Sequence, residues 1–287
     1  MRIKSCAFFL VFNIFCAYLH LYPKNYQITY VIAAIDIGRT FHGGHAQQSG
    51  IYRFEDDYLS HVIDFLKLEW PARIFIQKKY FPVIKPYLHE KIEVHFYELS
   101  DIERSQYYDH LQKCRKNLQF ADSSGLYCPN ATYAHYAPLV FNKIEFLMQA
   151  ARDNPFKTDY FVWIDANHHI GKFKSLNHSS LVPYLDKFSM HYFMMPTHLW
   201  EIHGMPRNVH TRYCGGIRSD KLCRAMIFGG TSGSIEKVYD LFHQFAQRTL
   251  NNGHLGTEEN IFTFCYFDQP QLFNFMPEPY YYRLLSA

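Results

Sequence analysis

Residues 161–170, FVWIDANHHI, constrain the fold more than any other stretch of the chain. Four apolar residues, Phe161 to Ile164, run without interruption into Asp165, and Asn167, His168 and His169 follow. A strand that buries one face alternates polar with apolar. One covered on both faces reads as a continuous apolar run. The pattern predicts a strand at the centre of a sheet, with layers on both sides and a carboxylate at its carboxyl end. The plain reading of Asp165 is a strand end that meets water. The sharper one is an acid delivered to a site by a rigid element.

Other segments repeat the alternation of strand and helix. ITYVIAAIDIG, ARIFIQ, IEVHFYEL, MHYFMMP and CRAMIFGG have strand character, and QLFNFMPEPYYY looks extended. FEDDYLSHVIDFLKLE places Tyr58, Leu59, Val62, Ile63 and Leu66 on one helical face. PLVFNKIEFLMQAARDN predicts one helix stopped at Asn154-Pro155, and SIEKVYDLFHQFAQRTLNNG one stopped at Gly253. TEENIFTFCYFDQP starts another helix. Such alternation gives an α/β class with a mostly parallel central sheet flanked by helices. Residues 103–135, with their Gly, Pro and Cys, read as an insertion or flap on a single domain over residues 25–287.

The N-terminal residues 1–24 stand apart as a targeting segment. Arg2 and Lys4 precede an apolar run from Ala7 to Tyr22, broken by Asn13 and His20. A signal peptide and an uncleaved signal anchor both fit. Either sends the rest of the chain into the secretory pathway. It would stand in the Golgi or ER lumen as a type II membrane protein, or be secreted, touching membrane only through this segment. Sequons at Asn130 and Asn177 agree with that compartment. Among the cysteines, Cys114 with Cys128 and Cys214 with Cys223 are candidate local bridges. No CxxC pair suggests structural zinc, and His42 with His45 in a glycine loop is a poor ligand platform.

A net charge of +3 without a basic run gives no case for nucleic-acid binding. An aromatic share of 18% suits a thick core or a surface on which sugars stack. No phosphate-loop pattern follows GGTSG, and no Gly-x-Ser-x-Gly elbow is present.

In open α/β sheets ligands bind beyond the carboxyl ends of the strands. One strand ends in Asp36 and Gly38, another in Asp165 and a third in Gly229-Gly230, so these three ends are expected to converge. Asp36 would meet a ribose or base and Arg39 a phosphate; the alternative is a local ion pair between them. Asp165 with Asn167 offers two oxygen donors of the kind hard divalent cations such as Mn²⁺ or Mg²⁺ take. Such a cation would stabilise a diphosphate leaving group. Lys143 would reach back to the diphosphate, or else lie along the surface. Gly229 and Gly230 would let a backbone approach a sugar closely, or form a tight turn.

Four pieces in order, TYVIAAIDIGR, YAPLVFNKIEFLMQAARDNPFKTDYFVWIDA, IFGGTSGSI and GTEENIFTFCYFDQPQLFNF, resemble the HtrL/YibB-like family with its WlaTC-type glycosyltransferases. They span about residues 28 to 275. The resemblance implies a GT-A-like nucleotide-diphospho-sugar transferase fold. It also implies a metal-linked acid at Asp165 and a catalytic or acceptor-orienting acid at Glu258 or Glu259. The usual Asp-x-Asp reads Asp165-Ala166-Asn167 here, so the second ligand lacks charge. The expected function is transfer of a sugar from a nucleotide-diphospho-sugar donor to a glycan or glycoprotein acceptor. The alternative is a non-catalytic, secreted carbohydrate-binding protein on a degenerate transferase fold.

Overall fold

The computed structural model describes residues 28–38, 54–115, 133–166, 190–196 (backbone alone), 205–218 and 221–275. The leader, Arg39, Cys128, Asn167, His168, His169, the HGGH loop and both sequons lie outside the described residues.

Seven strands are β1 (Ile28–Ala34), β2 (Ala72–Ile76), β3 (Ile92–Phe96), β4 (Tyr160–Ile164), β5 (Met190–Pro196), β6 (Lys221–Thr231) and β7 (Phe273–Phe275). They form one sheet in the order β3-β2-β1-β4-β6-β5-β7. The first four in that order are mutually parallel. Strand β6 runs against both β4 and β5, and β7 runs with β5. Among the described strands only β6 is reversed, so the sheet is mostly parallel, as the alternation predicted.

Strand β4 sits at the middle of this order, and all five of its residues are buried. Its alternate side chains enter two different cores. Phe161 and Trp163 join a large cluster with Val31 and the helices on one face. Tyr160, Val162 and Ile164 join a second cluster with Tyr30, Ile32 and Ile74 on the other. Burial on both faces is what the uninterrupted apolar run required.

The helices that matter for the site are α1 (Ser60–Leu66), α2 (Lys143–Asp153), α3 (Arg207–Tyr213), α4 (Ser232–Asn251) and α5 (Glu258–Asp268). The single helix expected from Pro138 breaks in two. A short helix, Tyr136–Phe141, tightens at Asn142, whose N–H reaches both the Pro138 and Leu139 carbonyls at 3.1 Å. Helix α2 then restarts with Lys143 as its first residue. Its stop is the expected Asn-Pro. Asn154 turns left-handed (φ 39, ψ 60), a conformation Asn tolerates better than most residues. Its side chain donates to the Thr158 carbonyl at 3.0 Å and accepts from the Thr158 N–H at 2.9 Å. That clasp feeds the chain directly into β4.

Two expectations are corrected. Residues 103–115 are not a flap. Leu111 and Cys114, on the helix Tyr108–Arg115, enter the main core with Tyr107 just before it. Residues 116–132 lie outside the described set. The bridge expected between Cys214 and Cys223 is also not formed. Both are buried free thiols, with Cys223 inside β6 and Cys214 3.6 Å from His210 Nδ1.

One buried cation pins the opposite edge of the sheet. Arg73 on β2 is 1% exposed and pairs with Glu93 at 2.6 Å and Asp153 at 2.7 Å. It ties β3 and the end of α2 to the sheet.

Candidate functional site

Because β1 and β4 are parallel neighbours, Asp36 and Asp165 emerge at the same carboxyl edge. Helix α5 brings its first turn to that edge too. Thr257 caps it, with its side chain and that of Asn260 exchanging hydrogen bonds with each other's backbone N–H. Glu258 and Glu259 are therefore fixed on the first turn of an ordered helix.

The centre of the site is an ammonium group. Lys143 Nζ donates to Asp165 (2.8 Å to Oδ1, 3.1 Å to Oδ2), to Glu258 Oε1 at 2.7 Å and to the Ala225 carbonyl at 3.1 Å. An ammonium has three N–H donors, and these partners engage all of them. Asp165 is held further by the Trp163 indole N–H at 2.7 Å, and its own N–H continues the β4–β6 ladder to the Met226 carbonyl at 2.9 Å. Trp163 and Asp165 are two residues apart on an extended chain and so share a face. Burial opposes a charged Lys143, but Asp165 and Glu258 override it and hold the ammonium protonated well above the usual lysine range. Lys143 is thus neither a surface lysine nor free for a diphosphate. It is the joint between α2, β4, β6 and α5.

The two glutamates differ. Glu259 accepts from the Ala225 N–H at 3.1 Å and from Arg224 at 3.2 Å. Glu258 Oε2 is buried and has no hydrogen-bond partner among the described residues. Burial, above all, raises the carboxyl pKa of Glu258; Lys143 pulls it down, while Glu259 and Asp165 push it up. An orphaned carboxylate oxygen in a low-dielectric pocket is costly unless protonated or met by a ligand.

Asp36 lies in a second network at the same edge. Its N–H donates to Gln77 Oε1 at 2.9 Å; its carboxylate accepts from Tyr80 at 2.6 Å, Lys79 at 3.2 Å and the Gly38 N–H at 2.9 Å. Burial works to raise its pKa, but the bonds from Tyr80, Gly38 and Lys79 together carry it below the ordinary carboxylate range. Gly38 itself is left-handed (φ 74), which a side chain would strain. Tyr80, Lys79 and Gln77 follow β2, and the same strand-end rule applied to IFIQKKY points to them. Trp163 was legible from its spacing to Asp165.

The expected convergence of Gly229 and Gly230 on this edge is corrected by the reversal of β6. They stand in the ladder opposite Val162 and Phe161, and it is Arg224–Met226 that reaches the Asp165 end. The close approach at Gly229 is internal, since a Cβ there would lie 2.1 Å from the Phe161 carbonyl oxygen.

As donors for a divalent cation, the described groups do not suffice. Lys143 already bridges Asp165 to Glu258, which ties up the faces of both carboxylates that point at each other. Among the described residues no three His, Cys, Asp or Glu side chains are grouped to hold a metal ion.

These features define an α/β protein with a lysine-bridged pair of carboxylates at the carboxyl edge of a mostly parallel sheet. The family described as "Bacterial protein of unknown function (HtrL_YibB)" is matched over residues 26–284, and the chain belongs to it. No curated protein matches the chain. Among solved structures, mouse xyloside xylosyltransferase 1 in its apo form is similar, with a TM-score of 0.43 and 12% identity over 88% of this chain and 84% of that one. A likeness at that level concerns the course of the backbone and says nothing of substrate.

Proposed function

We propose that the protein is a glycosyltransferase that moves a sugar from a nucleotide-diphospho-sugar donor to the hydroxyl of a glycan or glycoprotein acceptor. The observation that carries this reading is the buried Lys143–Asp165–Glu258 cluster at the ligand-binding edge of the sheet, with one carboxylate oxygen left unmatched. Sugar transfer to a hydroxyl needs a group that takes up the acceptor proton. Between the two candidates Glu258 suits that role, because the carboxylate of Glu259 is engaged by Ala225 and Arg224. Lys143 and the Trp163 indole hold Asp165 in place, and Asp165 then accepts from donor hydroxyls. Asp36 would meet the ribose or base, with Gly38 shaping the turn beside it and Arg39 beyond balancing the charge of the diphosphate.

A Mn²⁺ requirement would have to bring in Asn167 or groups beyond the described ones. The leader is proposed to carry the chain into the secretory pathway, where glycan acceptors occur.

One observation favours the second reading, a non-catalytic carbohydrate-binding protein. Lys143 is consumed by Asp165 and Glu258, so the described part of the cluster presents no free cation to a diphosphate. Thermal unfolding of the full chain separates the two. A transferase gains stability from nucleoside diphosphates, with or without Mn²⁺, by ligand linkage. A protein stabilised by glycans and indifferent to every nucleoside diphosphate is the binding module.

A further inference from the structure

A cavity lies at the far end of α5 from the acidic cluster, about 16 Å away along an eleven-residue helix. Its volume is about 150 Å³, and Arg212, Tyr213, Phe245, Arg248, Phe267 and Asp268 line it. The last turns of α3 and α4 and the end of α5 meet there. Arginines near helix C-termini are ordinarily explained by the helix dipole. Here three further facts exceed that explanation.

First, among the described residues neither guanidinium has a carboxylate within ion-pair distance, although Asp268 lines the same cavity. Second, the Arg248 guanidinium carbon lies 5.7 Å from the centre of the Tyr213 ring, a cation–π contact that uses none of its N–H donors. Third, Tyr213 is itself immobilised. Its hydroxyl accepts from Asn252 at 2.9 Å and meets His254 Nδ1 at 3.0 Å, and its ring stacks on Phe264 at 5.0 Å. Gly215, left-handed at φ 67, turns the chain away just after Tyr213 and lines the same cavity. The result is a preformed recess with aromatic walls, two cationic forks and one acceptor.

We infer that this recess is a carbohydrate subsite for a single acidic sugar residue, a pyranose bearing a carboxylate. Arg212 and Arg248 suit a carboxylate in the bidentate geometry that guanidinium favours. Tyr213 is the buried floor beneath Arg248, the half-buried Phe267 ring offers a face to the apolar side of a sugar ring, and Asp268 accepts from ring hydroxyls. The cavity, near 150 Å³, has room for one six-membered ring. The subsite stands on its own lining and does not depend on transfer activity at the acidic cluster.

The test is calorimetric titration of the full chain with glucuronate, glucose and inorganic phosphate, repeated on Arg212→Ala, Arg248→Ala, Asp268→Asn and Asp165→Asn. The subsite predicts that glucuronate binds and that glucose and phosphate bind at least tenfold more weakly. Each arginine substitution should weaken glucuronate about tenfold or more, and Asp165→Asn should leave it unchanged. Both arginines are exposed, so their substitution should not impair folding; Asp268→Asn gives an independent probe with a smaller loss. Three outcomes overturn the inference. These are no heat with glucuronate, phosphate binding equal to glucuronate (a bare anion site), and loss of binding in Asp165→Asn rather than in the arginine variants.

Discussion

Lys143 and Asp165 stand 22 residues apart in the sequence, yet their charged atoms meet at 2.8 Å. Lys143 opens a helix and Asp165 closes the strand that follows it, so one helix–strand unit presents both ends of a buried ion pair at one edge of the sheet. Glu258, from the other end of the chain, completes it at 2.7 Å.

Removing the ammonium leaves two carboxylates without a counter-charge. Lys143→Met should therefore destabilise the fold by about 3–5 kcal/mol, the usual result of breaking a buried pair from one side. Lys143→Arg keeps the charge but cannot reproduce three short bonds from one atom, and should fall between the two. Denaturant unfolding of the three proteins gives the order. A Lys143→Met variant as stable as wild type would mean the cluster is open to water.

Asp165→Asn preserves size and retains an acceptor for Trp163. It should fold and should lose transfer activity by about a hundredfold or more, because a fixed charge at the reacting edge is gone. Donor turnover and melting temperature are measured on the same preparation. Full activity with native melting would reduce Asp165 to a strand-end cap.

Glu258→Gln and Glu259→Gln should separate sharply. The first should reduce turnover by roughly 10²–10⁴-fold if Glu258 takes the acceptor proton. The second leaves an acceptor for the Ala225 N–H and should cost about tenfold or less. Equal losses in both variants would argue against assigning the proton to Glu258 alone.

The same residue sets a sign for pH dependence. Glu258 is raised above its ordinary 4.5, first by burial. Between pH 4.5 and its folded value the folded state binds more protons than the unfolded one, so its contribution makes stability fall as pH rises through that window. Glu258→Gln should remove that decline. Melting curves across the acid range decide the point; a gap between variant and wild type that does not change with pH refutes it.

Gly229→Ala tests the structural role of a residue whose sequence context suggested a ligand turn. A methyl group 2.1 Å from the Phe161 carbonyl must push β6 from β4. The expected cost is about 1–3 kcal/mol or more, with ligand affinity of the remaining folded protein unchanged. Expression in a eukaryotic secretory system checks the leader. Mobility should shift on glycosidase digestion through Asn130 or Asn177, and an unchanged band speaks against luminal exposure of both.

What the amino-acid sequence determined by itself was local and periodic. An unbroken apolar run required a strand covered on both faces, and Phe161–Ile164 is one. Asn154-Pro155 required a helix stop. The strand-end rule placed Asp36 and Asp165 on one edge, since both strands enter a parallel sheet. The direction of β6 was decided only by tertiary pairing. An antiparallel strand has the same apolar pattern as a parallel one, and its reversal sends Gly229 and Gly230 into the ladder while Arg224–Met226 comes to the site. The fate of Lys143 was decided there too. A lysine amid apolar helix residues reads equally as a surface stem or a ligand-facing cation. Only the meeting of α2, β4, β6 and α5 supplies the two carboxylates and one carbonyl that make burial of its charge favourable.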